Sequence, residues 1–369
     1  MDKKYFKTRQ DNTLLKLCLS NLKKLCGGIT KAMKDRLCYE LDVIKKTGKL
    51  ETLELLRDIV QYSKKNNILL SPGRGPNAGS LVLYALGFTK VNPLTYGLYF
   101  ECFLNPEKLQ FPVVYFDVEA GKENKLLSFL ENKYGKGKAA IAGSYDKTKY
   151  SPEVAYIGLP VLATIANTLK VIEKSKGVKI DIDDIPLNDK KVYQLISSGD
   201  TEDVFPFTSG GIIKTLKELK PATIQELSLP TALYRPGLVK ILQELLKRRK
   251  SKAAVKYLHP KLKPILKETY GLIAYREQVI QIAVQLAGYT LAQAEKLRYD
   301  FEKKIPGDIK KQKCFFICGA SALRVPEKTA EKIFDLLKQS AGYTITKSHS
   351  ISWAILAYQS AYLKTYHRN

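Results

Sequence analysis

The stretch Ser71-Pro72-Gly73-Arg74-Gly75-Pro76-Asn77-Ala78-Gly79-Ser80 constrains the fold of this chain more than any other. It follows a short apolar run, Ile68-Leu69-Leu70, which predicts a strand. It precedes Leu81-Val82-Leu83-Tyr84-Ala85-Leu86-Gly87, which predicts a short helix. Glycines in such a turn let backbone N–H groups approach a ligand closely, and a helix start favours an anion. Arg74 adds a charged fork suited to phosphate. An ordinary Gly/Pro turn accounts for the same residues, so this stretch alone leaves both readings open.

At 369 residues the chain is long enough for two or three domains with their own cores. Hydrophobic content of 45% and charged content of 26% are those of a globular protein. No run of about 18 apolar residues occurs, so no membrane helix is expected. The first residues, Met1-Asp2-Lys3-Lys4-Tyr5-Phe6-Lys7, lack an apolar signal core, which predicts a cytoplasmic location. Net charge is +25, from 61 Lys and Arg against 36 Asp and Glu. Such a surplus favours a polyanionic partner, nucleic acid first; a lysine-rich solvated surface is the plainer alternative. Of the cysteines, Cys18, Cys26, Cys38, Cys102, Cys314 and Cys318, only the last two are close, at i,i+4. Buried free thiols are expected rather than zinc.

Helical spacing runs through the first 66 residues: one helix from Asn12-Thr13 to Leu25, one from Lys31 to Lys46 with Leu37, Leu41 and Ile44 on its stripe, and one from Leu53 to Lys65. Val113-Val114-Tyr115-Phe116-Asp117-Val118 is β-branched and aromatic, hence a strand. A helix from Lys125 to Tyr134 and a strand at Ala139-Ala140-Ile141-Ala142 follow. Ile157-Gly158-Leu159 is expected to open a helix through Lys174, and a polar break covers Asp181 to Pro186. From Asp189 to Arg368 the pattern is helical. A helix from Ser352 to Tyr366 would place Lys347 and His349 near its positive end. Two basic runs, Lys247-Arg248-Arg249-Lys250-Ser251-Lys252 and Lys303-Lys304 through Lys313, read either as solvated faces or as a binding surface.

Beyond these local signals, Phe100-Glu101-Cys102-Phe103-Leu104-Asn105-Pro106-Glu107, Tyr39-Glu40-Leu41-Asp42, Tyr257-Leu258-His259-Pro260 through Leu286-Ala287-Gly288-Tyr289, and Lys347-Ser348-His349 with Ala357-Tyr358-Gln359 resemble the bacterial DNA polymerase III alpha subunit, a C-family replicative polymerase. The resemblance implies an α+β fold: a mixed α/β, nucleotidyltransferase-like palm followed by a mainly helical fingers domain. The expected organisation is 1–66, helices leading into the palm; 67–160, a reduced palm; and 161–369, the fingers. It also implies that the family's N-terminal metal-dependent domain and its clamp-binding modules have no counterpart here. The long insertion carrying the thumb would be replaced by Ser144-Tyr145-Asp146-Lys147-Thr148-Lys149-Tyr150-Ser151-Pro152, too short for a domain.

Polymerases of this family hold two divalent cations on three aspartates, and the resemblance assigns those positions to Tyr115, Asp117 and Ala155. Two of the three carboxylates are therefore replaced, and Asp117 is a remnant and a weak metal ligand at most. The nucleotide- or DNA-binding positions implied are Arg74, Gly79, Ser80, Arg235, Arg298, Lys303, Lys304, Lys347 and His349, with His349 equally readable as a core residue. One displaced arrangement stays open. Glu119 lies two residues beyond Asp117, and Glu153 two before Ala155. If the strands were antiparallel, Glu119 and Glu153 would be neighbours and could form a cluster with Asp117.

Three functions are compatible with these residues. The first is a non-catalytic homologue that binds DNA, single-stranded or as primer-template, with no cofactor. The second is a minimal polymerase taking Mg2+ on the displaced cluster. The third is a mimic of the polymerase core that binds a replisome protein. None calls for a membrane.

Overall fold

The computed structural model describes residues 9–107, 111–143, 151–251, 255–304 and 306–367. The expected linker from Ser144 to Tyr150 and Lys252 of the first basic run lie outside them. The chain forms two compact units, Met1–Ile185 with Tyr366–Asn369, and Pro186–Thr365. The first 66 residues and the sheet share one unit, and the division between the two units falls at the polar break.

Among the described residues, six α-helices lie in the first unit: α1 (Arg9–Cys26), α2 (Lys31–Lys46), α3 (Leu50–Lys65), α4 (Leu81–Ala85), α5 (Glu123–Tyr134) and α6 (Pro160–Lys176). The strands are β1 (Val114–Glu119), β2 (Ala139–Ile141) and β3 (Val154–Leu159), in the order β1-β3-β2. Both pairings are parallel, with Tyr115 opposite Ala155 and Glu119 opposite Leu159. Helix α6 packs on β1, which is why it belongs to this unit; α5 packs on β2, β3 and α3. The inner face of β1, Val114, Phe116 and Val118, enters a core with Leu37, Leu41, Ile44, Leu56, Leu83 and Tyr156. Phe116 stacks on Tyr156 at 4.9 Å and meets Phe88 edge-on at 5.3 Å.

Two expectations need correcting here. Ile157, Gly158 and Leu159 are the end of β3, and the helix opens at Pro160, whose fixed φ and missing N–H suit the first turn. The run Ile68-Leu69-Leu70 is no full strand. It touches β1 antiparallel through a single bridge, Leu70 to Val118, with Glu119 N–H donating to Leu69 O at 2.9 Å.

The second unit is helical: α7 (Lys190–Ser198), α8 (Gly210–Leu219), α9 (Ile224–Leu233), α10 (Val239–Lys250), α11 (Leu262–Leu266), α12 (Arg276–Ala287), α13 (Leu291–Lys303), α14 (Pro306–Ala322), α15 (Glu327–Ala341) and α16 (Lys347–His367). Helices α12 to α15 pack on one another. Leu219, Leu229, Leu233, Leu242, Leu245 and Tyr275 form a core between α8, α9 and α10. The palm-plus-fingers class, a small sheet with helices followed by a helical region, matches this architecture. No helix of the described residues is long and apolar enough to cross a membrane. None of the six cysteines is in a disulfide, but only Cys18 is buried as expected: Cys26, Cys38 and Cys102 are partly buried, and Cys314 and Cys318 are exposed on the outer side of α14.

Candidate functional site

The sheet face opposite the core carries Tyr115, Asp117 and Glu119, because alternate residues of a strand share a side. Tyr115 and Ala155 are register partners, and Asp117 stands two residues along. The three positions singled out in the sequence therefore do meet on one face. Tyr115 keeps 39% of its surface exposed, while Ala155 and Asp117 are fully buried. Asp117 accepts a short charged hydrogen bond from Arg74 Nη1 and another from Ser71 Oγ at 3.1 Å. Burial raises its pKa, and the Arg74 charge opposes that rise.

The displaced cluster does not form. Its premise was an antiparallel pair, and β1 and β3 are parallel. Glu153 precedes Val154, the partner of Val114, whereas Glu119 pairs with Leu159. Six residues of strand, roughly 20 Å, separate the two glutamates. Glu153 instead binds Lys138 Nζ at 2.7 Å, Thr52 Oγ1 at 2.7 Å and Lys49 Nζ at 3.1 Å. Against the penalty of partial burial, those partners hold its pKa at about 2. Glu119 accepts from Leu69 N–H at 3.3 Å. Among the described residues no group of three or more His, Cys, Asp or Glu side chains is arranged to hold a metal.

The turn before α4 is bonded to the protein itself. Gly79 is needed for packing, since a Cβ there would lie 2.7 Å from Tyr99 O. Ser80 is fully buried; its Oγ donates to Glu40 Oε2 at 2.7 Å and caps α4 by accepting from Leu83 N–H at 3.2 Å. Leu81 N–H and Val82 N–H, the donors an anion would use, donate to Glu40 at 2.9 and 3.0 Å. Arg36 Nε completes the shell at 2.6 Å. Burial raises the Glu40 pKa, and the Arg36 charge and these donors pull it back. Glu40 was not among the expected site residues. Its signal was visible: a carboxylate between Leu37, Leu41 and Ile44 on the apolar stripe of α2.

The basic positions of the second unit are also largely internal. Helix α16 begins at Lys347, five residues earlier than expected. Its first N–H groups donate to a buried carboxylate, Glu277: Lys347 N at 2.7 and 2.9 Å and Ser348 N at 3.4 Å. Burial raises the Glu277 pKa against those bonds. Lys347 is largely buried, and its Nζ binds Glu268 at 2.8 Å. Arg235 donates to Ala232 O at 2.9 Å and Tyr343 O at 2.5 Å, and burial followed by the nearby Arg276 charge lowers its pKa. Arg298 is buried between Glu295, at 2.7 Å, and Glu302, at 2.5 Å; despite burial these raise its pKa. His349 lies against Trp353 at 4.6 Å between centroids. Of the basic positions expected to bind nucleic acid, Lys303 and Lys304 are the two that stand exposed. In the other basic run Arg248, Arg249 and Lys250 pair with Glu244, Glu226 and Glu218.

Comparison with known proteins places this geometry in a family. A family model of the bacterial DNA polymerase III alpha NTPase domain matches residues 12–206. A second, of the bacterial DNA polymerase III alpha subunit finger domain, matches residues 161–324. DNA polymerase III subunit alpha of Staphylococcus aureus (strain COL) is 28% identical over 444 residues, covering 91% of this chain and 42% of the relative. That of Thermus aquaticus is 27% identical over 454 residues, covering 91% and 37%. The chain thus spans about two fifths of the length of these curated relatives. Both alignments are longer than the chain's own 369 residues, so the relatives carry residues within the matched region that have no counterpart here. On the extent of the first match, the chain belongs to the bacterial DNA polymerase III alpha subunit family.

Proposed function

We propose that this chain is a DNA-binding, replication-related polymerase III alpha-like protein of the cytoplasm that performs no nucleotidyl transfer. One observation carries the second half: Tyr115 faces Ala155 across the sheet beside an Asp117 already bonded to Arg74 and Ser71. Two-metal phosphoryl transfer needs carboxylate oxygens around each hard cation at about 2.0–2.1 Å. A phenol and a methyl group are not ligands of that kind, and Asp117 would have to give up its arginine. The residues present do not fit a metal pair.

DNA binding is supported by the net charge of +25 and by relatives named as DNA polymerase subunits. It is tested by titrating labelled single strands and duplex against salt. If about five phosphates are neutralised, log K falls against log salt with a slope of about −4.5 for duplex and about −3.5 for single strands. Absence of binding at low salt by the folded protein would contradict the proposal and turn attention to a protein partner.

A further inference from the structure

We propose that the outward face of α14 is a stacking and phosphate-binding surface for single-stranded nucleic acid. This rests on the DNA-binding reading and gives it a location. The inward side of α14 is fixed: Phe316 and Ala320 are buried, and Gly319 lies so close to the end of α12 that a Cβ would meet Ala287 O at 2.1 Å. Outward, Lys311, Phe315, Cys318 and Ala322 recur at i, i+4, i+7 and i+11, one stripe of a helix. All four are exposed, with Lys310 and Cys314 beside them.

Phe315 keeps 53% of its surface exposed, yet it is not loose. Its ring sits edge-to-face with Tyr289 at 5.0 Å and 84°, and the Tyr289 hydroxyl donates to Gln312 Oε1 at 3.0 Å. A fixed aromatic open to solvent is a platform for an unpaired base, whatever its identity. The charge of the helix itself is mainly positive, although Lys313 pairs with Glu331 of α15 and Gln312 reaches Asp300 of α13. Helix α14 holds a single acidic residue, Asp308. Lys310 and Lys311 are exposed on it, Lys304 stands just before it and Arg324 just after. None of these four cations is in an ion pair among the described residues. The stripe from Lys311 to Ala322 rises roughly 16 Å, room for a few stacked nucleotides.

The occupant follows from charge complementarity. A second copy would bring the same cations, and the same surplus of +25, against this face. A polyanion with accessible bases meets both the lysines and the ring, and a duplex keeps its bases stacked within itself. Apart from Lys304, which belongs to both, the face differs from Arg235, Arg298 and Lys347, whose cations are bonded inside the unit.

The test uses the whole chain with a labelled oligothymidylate and a duplex of equal length. Lys310→Ala with Lys311→Ala is expected to weaken single-strand binding several-fold and make the salt slope shallower by about 1.4. Phe315→Ala is expected to weaken single-strand binding roughly ten-fold and duplex binding far less. Because Phe315 touches Tyr289, a second readout uses the unaltered protein: alkylation of Cys314 and Cys318, followed by peptide mass spectrometry, should slow when oligothymidylate is added. Single-strand binding with both thiols unprotected and both variants binding like the wild type would overturn this location while leaving the DNA-binding reading intact. No DNA binding at all would remove that reading and this one with it. Alkylation that slows with protein concentration alone would assign the face to a second copy and overturn the proposal.

Discussion

Helix α4 in the first unit and helix α16 in the second both begin at positions the resemblance implied for binding, Ser80 and Lys347. Each has its first N–H groups bonded to a buried glutamate from another helix, Glu40 of α2 and Glu277 of α12. The sheet face with Tyr115, Ala155 and Asp117 is different: Tyr115 faces Ala155, and the Asp117 carboxylate is held by an arginine. The difference teaches that a well-matched segment here reports framework. Ser80 and Lys347-Ser348 are held by internal carboxylates, whereas Tyr115 and Ala155 bring no carboxylate to the sheet face.

The largest effect should come from breaking that framework. Replacing Glu40 or Glu277 by Ala leaves buried N–H donors unbonded, and Arg36 unpaired in the first case; each is expected to cost about 3–5 kcal/mol in denaturant melts. Asp117→Asn, which keeps the shape and the Ser71 contact, should cost clearly less than Glu40→Ala. The reverse order would break the distinction between framework and relic.

Next in size is Arg298→Ala. It removes bonds to Glu295 and Glu302 and should cost about 1.5–3 kcal/mol. DNA affinity of the folded variant should stay unchanged, because the guanidinium is inside. A matching loss of affinity would return Arg298 to the binding surface.

Restoring the sheet face gives a smaller signal. The double variant Tyr115→Asp/Ala155→Asp places two carboxylates on one rung beside Asp117. Manganese should then raise its melting temperature, by an amount equivalent to about 1.4 kcal/mol at ten times Kd. The unaltered protein should show no such shift.

The smallest effect is in pH. Glu153 is held from its ordinary 4.5 down to about 2, so its contribution to stability is present above the unfolded value and is lost as pH falls from about 5 toward 2. Glu153→Gln should flatten that limb by less than about 1 kcal/mol, since the pairs with Lys49 and Lys138 are partly exposed and screened. Glu40, Asp117 and Glu277 act with the opposite sign. Their folded pKa values are raised, so what they add is fullest below the unfolded value and is lost as pH rises through the folded one.

Much of the fold was legible from periodicity. The stripe of Leu37, Leu41 and Ile44 marked α2 at its observed ends, and the β-branched run marked β1 within a residue. Strand direction was not legible, because alternation gives the face of a strand and says nothing of its partner's polarity. That single unknown kept Glu119 and Glu153 together in the reading and apart in the structure. The surroundings of the basic residues were hidden for another reason. Charge is visible in a sequence, but its satisfaction is not: Arg298 and Lys347 look like ligands until Glu295, Glu302 and Glu268 are seen beside them. Conversely, the spacing of Cys314 and Cys318 did show a helix face, but not that it faces outward, which depends on how α12 and α15 cover the other side.

The central claim is that the sheet face of Tyr115, Asp117 and Ala155 cannot support nucleotidyl transfer in a protein that still binds DNA. Primer extension on a labelled primer-template, with magnesium and then manganese and with protein at concentrations shown to saturate the DNA, tests it most directly. The account predicts a bound but unextended primer under both metals. Template-dependent incorporation that disappears in an Asp117→Ala variant would contradict it.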